Sequence, residues 1–231
     1  MTEVDITNLG LGRLPAADER DQMFHMKLAI PTEAPTRTYR YWNANGWWGD
    51  QQTTPQCVGY SWAHWVEDGP ITHKGSAPII APEVIYREAQ KIDEWPGEGY
   101  EGTSVRAGAK VLQALGFIES YYWAWDAKTV ADTILTRGPV VVGTNWYRDM
   151  FFPDPETYIV KPTGAAVGGH AYLINGVNVK KGLFRFKNSW GNGKDSINNW
   201  GDNGHAWITI EDMDKLIKQD GEACLAVEIK K

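Results

Sequence analysis

The chain has 231 residues, 42% of them hydrophobic, and a formal net charge of −6. Such a length and composition exclude global disorder and allow one large core or two packed lobes, and acidic and basic residues mixed along the chain leave no basic footprint for nucleic acid or an anionic membrane surface. No run approaches the roughly 20 apolar residues of a membrane span, and "MTEVDITNLGLGRLP" lacks a basic segment followed by an apolar core, so a soluble, cytoplasmic monomer is expected.

Residues 1–40 read as an N-terminal arm or short pro-segment, with apolar spots at Leu14, Met23, Phe24 and Leu28 that must lie on something. The arm either straps the back of the molecule or occupies its cleft, and the strap is favoured here. Aromatic density at 41–48, "YWNANGWW", and at 121–125, "YYWAW", suits packing between lobes better than stacking on sugar rings. A first helix is expected from about Thr54, with Thr54 as N-cap and Pro55 at the first helical position. Apolar residues at 58, 62, 65 and 66 continue it and "GP" at 69–70 ends it. Further helices are expected over Pro82–Ile92, Ser104–Leu115 and Lys128–Arg137. From 139 onward the patterns become strand-like: 139–144, 170–177, 182–188, 205–210 and 224–230. Helices first and strands second predict an α+β chain with a helical lobe, an antiparallel β lobe and a ligand site in the cleft between them.

Cys57 is one of only two cysteines, 167 positions from Cys224, and neither is expected in a disulfide. In the first turn of a helix, free backbone N–H groups and the dipole favour a thiolate, the attacking species. His170, following two glycines at the head of a strand, and Asn188, at the tail of the next, can be adjacent across an antiparallel pair. A thiol, an imidazole and a side-chain amide are the parts of a nucleophile, base and orienter.

The stretch "DQQTTPQCVGYSWA" and the pair "KNSWG…WGDNGHAWI" resemble the papain-like cysteine peptidases, the C1 family, over about residues 47–231. The resemblance implies a two-lobed fold with a β-barrel-like C-terminal lobe, a catalytic domain over 41–231, a polypeptide substrate and no cofactor. It implies Cys57 as nucleophile, His170 as general base and acid, paired with Cys57 as imidazolium and thiolate, and Asn188 as orienter. Gln51 would be the side-chain donor of the oxyanion hole and Trp190 an aromatic cover over the histidine–asparagine bond. Gly102 and Thr103 of "EGTS" would pair with an extended substrate, and Gly143 and Ala171 are candidates for the substrate pocket. Val58, Gln52 and Gly169 depart from the family pattern, and the 113 positions between Cys57 and His170 are fewer than the roughly 130–150 of papain and cathepsins. "PQCVGYSWAHW" also resembles the CHAP-type amidases of cell-wall hydrolysis, and a non-catalytic binding module on the same fold is a third reading.

His25, His64, His73 and His205 have no companions at metal-ligand spacing, and no metal is expected. Asp195, Asn199 and Asp202 lack the terminal Glu of a calcium loop and read as a turn-rich loop.

Overall fold

Alternation along the strands decides the architecture. In the computed structural model, which describes residues 9–42, 47–70, 78–194 and 199–229, Val141, Ala171, Leu173, Cys224 and Ala226 face one way and pack with helices α1 (Cys57–Asp68), α2 (Pro82–Gln90) and α3 (Val105–Ala114). Their strand neighbours Val140, Val142, Tyr172, Ile174, Ala223 and Leu225 face the other way, with Val130 and Ile134 of α4 (Ala127–Thr136) and Met213 and Leu216 of α5 (Ile210–Lys218). The sheet is therefore a central layer buried on both faces, and period-two alternation of apolar residues on both sides is what such a layer requires.

The strands are β1 (Tyr39–Tyr41), β2 (Ile118–Ala124), β3 (Val140–Tyr147), β4 (Ala166–Asn178), β5 (Leu183–Lys187), β6 (His205–Thr209) and β7 (Glu222–Glu228). Their order is β2-β7-β3-β4-β5-β6, with β1 on the far end of β4, and every pairing is antiparallel. The sheet stays open, with β2 and β6 at its edges, so the expected barrel-like lobe is an α+β layer arrangement instead.

The expected order of helices before strands holds only in part. Strand β2 lies between α3 and α4 in the chain, and α5 between β6 and β7. The aromatic run at 121–125 belongs largely to β2, where Trp123 is buried on the α3 side. Trp47 does pack on α1, stacked on Tyr60 at 6.3 Å, while Trp48 lies edge-on to His205 of β6 at 4.4 Å. Residues 43–46, His73 and Asp195 lie outside the described residues.

Three helices are capped by side chains: Ser104 accepts from the Ala107 N–H, Asp126 from Thr129 and Thr209 from Asp212. Helix α1 differs. It begins at Cys57, not Thr54, because the Thr54 hydroxyl donates to the Gln51 carbonyl at 2.6 Å in a turn that the Thr54 N–H also closes. No side chain caps α1, so its first N–H groups lie uncapped beside Cys57. Strand β4 begins four residues earlier than expected, at Ala166, which puts His170 inside the strand opposite Thr144 of β3.

Candidate active site

The Cys57 sulfur accepts the Ala171 N–H at 3.4 Å, which brings the start of α1 against β4 one residue past His170. Asn188, just beyond β5, reaches His170 through its Oδ1 at 2.7 Å from the ring Nε2. The same oxygen accepts the Ser189 backbone N–H at 2.8 Å. A backbone N–H can only donate, so this end of Asn188 is the oxygen, and Nε2 of His170 carries the hydrogen. The neutral imidazole thus keeps its lone pair on Nδ1, which is buried and has no hydrogen-bond partner. Trp190 stacks on the His170 ring at 4.5 Å and Trp146 meets it edge-on at 4.9 Å.

Gln51 is buried between the two ends of the site. Its Oε1 accepts from the Ser189 hydroxyl at 2.5 Å, and its Nε2 donates to the carbonyls of Thr54 at 2.7 Å and Leu11 at 3.4 Å. Two carbonyls can only accept, which assigns that end as the NH₂.

The partner from Leu11 shows what fills the cleft. Residues 10–14 run through it in extended form, held by five backbone hydrogen bonds: Gly10 to the Gln52 carbonyl, Gly12 and Arg13 to the Gly169 carbonyl, Thr103 to the Gly12 carbonyl and Leu14 to the Thr103 carbonyl. The Trp190 indole adds a bond to the Gly10 carbonyl at 3.0 Å. Gly12 stands at φ +135, and a Cβ there would come within 2.2 Å of the Pro55 carbonyl. A Cβ on Gly169 would meet the Arg13 carbonyl at 2.1 Å, so the arm can lie here only against a glycine. The favoured strap therefore describes only the rest of the arm. Beyond Ala16 it crosses α3 and β2, with Asp21 in a bidentate pair to Arg106 and Met26 fully buried in the core, before β1 joins β4.

All the sequence-predicted positions converge here. Gly102 and Thr103 flank the arm on one side, Gly169 on the other, Gly143 lies under Arg13, and Ala171 touches the thiol. Sequence reading missed Arg13, Ser189, Trp146 and Glu222. Of these, only Ser189 sits within a motif; the Arg13–Glu222 pair joins positions 209 apart, which no local pattern encodes.

Burial shifts both groups. It pushes the Cys57 thiol up to about 12, against the pull of the Ala171 and α1 backbone N–H groups, and His170 down to about 4, against the pull of Asn188. Both shifts favour the neutral thiol and imidazole while residues 10–14 occupy the cleft. His64 and His205 are held low by burial as well. A depressed histidine contributes stability that is complete above 6.5 and drains away as pH falls toward about 4, because the unfolded chain takes up protons that the folded one refuses. The melting temperature of the full chain should therefore fall steadily from pH 6.5 to 4. A flat profile between pH 7 and 5 would show that these imidazoles protonate inside the folded protein.

The architecture and the site together define a papain-like cysteine-protease fold. Xylellain, a cysteine protease from Xylella fastidiosa, superposes with a TM-score of 0.73 at 20% identity over 97% of both chains. Digestive procathepsin L 3 from the larval midgut of Tenebrio molitor gives 0.62 at 16% identity, covering 96% of this chain and 76% of that one. The bromelain protease of Ananas comosus, in complex with the E64 inhibitor, gives 0.56 at 13% identity, over 84% of this chain and 100% of that one. No protein-family model matches the chain. In sequence, a 73-residue stretch, 29% of this chain, is 33% identical to calpain clp-1 of Caenorhabditis elegans and spans 9% of that protein's length.

Both cysteines are free. Among the described residues there is no helix long and apolar enough to cross a membrane, and no group of three or more His, Cys, Asp or Glu that could hold a metal ion.

Proposed function

We propose that the chain is a cysteine endopeptidase, with Cys57 as nucleophile, His170 as proton carrier, Asn188 as its orienter, Gln51 in the oxyanion hole and Trp190 as cover. The observation that carries this reading is that the cleft beside Cys57 already holds a peptide, residues 10–14, gripped through its main chain on both sides. A site that grips backbone and not side chains suits a polypeptide substrate.

In the open cleft, Nδ1 of His170 takes the Cys57 proton and the sulfur attacks the scissile carbonyl carbon. Its oxygen becomes an oxyanion held by the Gln51 amide and the Cys57 N–H at the uncapped start of α1. His170 returns the proton to the leaving amine as the C–N bond breaks. Water then adds to the thioester, frees the acid and restores the thiol. The 10–14 segment acts as an inhibitory plug, and residues 41–231 form the catalytic domain. A substrate oxygen would be received where Gln51 Nε2 donates to the Leu11 carbonyl at 3.4 Å, a long bond that supports this reading. The two free thiols suit the reducing cytoplasm expected from the sequence.

The test is digestion of a peptide library, with product sequencing, by a full-length chain whose plug has been displaced. E64, the inhibitor bound in the bromelain structure, should titrate one site at Cys57. Cys57→Ser should fold and cleave nothing. Asn188→Ala should leave the buried Nε2–H unpaired, at a cost of about 1–3 kcal/mol or roughly ten- to a hundredfold in kcat, with a narrower bell in the pH–rate profile. An unchanged rate and profile in a folded Asn188→Ala chain would mean that something else orients His170.

A further inference from the structure

Arg13 is the one residue of the plug whose side chain is fully enclosed by the cleft wall. Its exposure is 0%, and that of its partner Glu222 is 10%. Nε donates to the Glu222 carboxylate at 2.9 Å, and Nη2 donates to the Asp220 carbonyl. Two acceptors on two different nitrogens of the fork match a planar guanidinium, whereas an ammonium offers a single point of charge. The aliphatic stem runs past Gly143 and Gly169. A Cβ on Gly143 would lie 3.0 Å from the Arg13 Cγ and Nε and 2.8 Å from Val105, and one on Gly169 would lie 3.2 Å from the Arg13 Cδ. Asp220 stands in the left-handed region at φ 63 in the turn from α5 to β7. That conformation is unusual for a residue other than glycine, and it fixes the carbonyl that faces the pocket.

We infer that the pocket formed by Gly143, Val105, Gly169, the Asp220 carbonyl and Glu222 selects an arginine side chain of the substrate, and that Arg13 occupies it as the plug's imitation of that residue. The substrate rests on the peptidase reading. The selected residue is the one whose main chain lies between Thr103 and Gly169, as that of Arg13 does. Burial raises the Glu222 carboxyl and the Arg13 charge draws it back. With the plug gone, an apolar side chain would leave that buried carboxylate with the Ala16 N–H but no cation, whereas an arginine would restore the charged pair.

The experiment uses the full chain carrying Gly12→Val to displace the plug, and peptides in which a single arginine is moved along the sequence or replaced by lysine or its neutral isostere citrulline. Binding is measured with Cys57→Ala added, and cleavage with Cys57 intact. At one position arginine should bind about ten- to a hundredfold more tightly than citrulline, with lysine between them. Glu222→Gln should remove that difference while leaving the citrulline peptides within about twofold. Gly143→Ala, which narrows the pocket and keeps its charge, should weaken arginine and citrulline peptides alike at that one position and spare peptides with a small residue there, and it serves if Glu222→Gln melts too low to assay. The inference is overturned if no position distinguishes arginine from citrulline, or if the preference survives Glu222→Gln. Discrimination in binding without any cleavage would keep the pocket and sink the peptidase reading; cleavage without discrimination would do the reverse.

Discussion

Gly12→Val in the full chain should turn a protected thiol into a reactive one. At φ +135, with the Pro55 carbonyl 2.2 Å from where its Cβ would sit, residue 12 meets backbone and not a yielding side chain. Residues 10–14 must therefore leave, although the Asp21–Arg106 pair and the buried Met26 keep the rest of the arm in place. The five backbone hydrogen bonds lost are each worth about 0.5–1.5 kcal/mol net. Even at the low end of that range, and allowing for the bonds not being additive, the open fraction should rise on the order of a hundredfold. Alkylation of Cys57 by iodoacetamide at neutral pH should accelerate by the same order as the thiol regains solvent and its burial-raised pKa relaxes. Cys224, buried between the sheet and the α1–α3 layer, should remain protected and is the internal reference. Peptide cleavage should appear in parallel. If Cys57 in the variant is labelled no faster than in the parent chain, the 10–14 segment is not what shields it, and the plug reading fails.

Gln51→Ala, placed in that opened chain, should lower kcat on the order of 100–1,000-fold with little change in KM, the cost of removing one oxyanion donor. The residue also holds the Ser189 hydroxyl and the Thr54 carbonyl, so truncation should lower the melting temperature as well. Gln51→Glu separates the two effects: it keeps the shape and the acceptor for Ser189 but loses the donor. The mechanism requires both variants to lose turnover alike, whatever their stabilities. Were Gln51→Glu to keep near-parental kcat, the amide would be a structural strut and the oxyanion would be held elsewhere.

Much of the fold was legible because it is written in local chemistry. Ser104, Pro82 and the glycines and prolines after 136 mark element ends through hydrogen bonds and dihedral limits that act within a few residues. Three elements escaped: β1, a three-residue strand at the end of the arm, and two longer ones. Strand β2 was hidden by reading its aromatics as a packing cluster, although Gly116 and Asp126 bound it as turn and cap. Helix α5 was hidden between two strand-like runs, although Ile210, Met213, Leu216 and Ile217 recur at helical spacing behind Thr209. Thr54 misled because a hydroxyl can donate as readily as it accepts, and only the neighbouring Gln51 carbonyl decided which it does.

By itself, the sequence determined the α+β class, the start of α1 to within three residues and the types of side chain gathered at Cys57, His170, Asn188 and Gln51, since spacing and motif are properties of the chain. Tertiary structure alone decided that the sheet stays open, that residues 10–14 lie in the cleft and that Arg13 reaches Glu222. Each of these depends on surfaces that meet only after folding, across separations of up to 209 residues, where no periodicity or propensity carries information. The charge state of the thiol belongs with them. An uncapped helix start favours a thiolate and burial opposes it, and burial is a property of the assembled molecule.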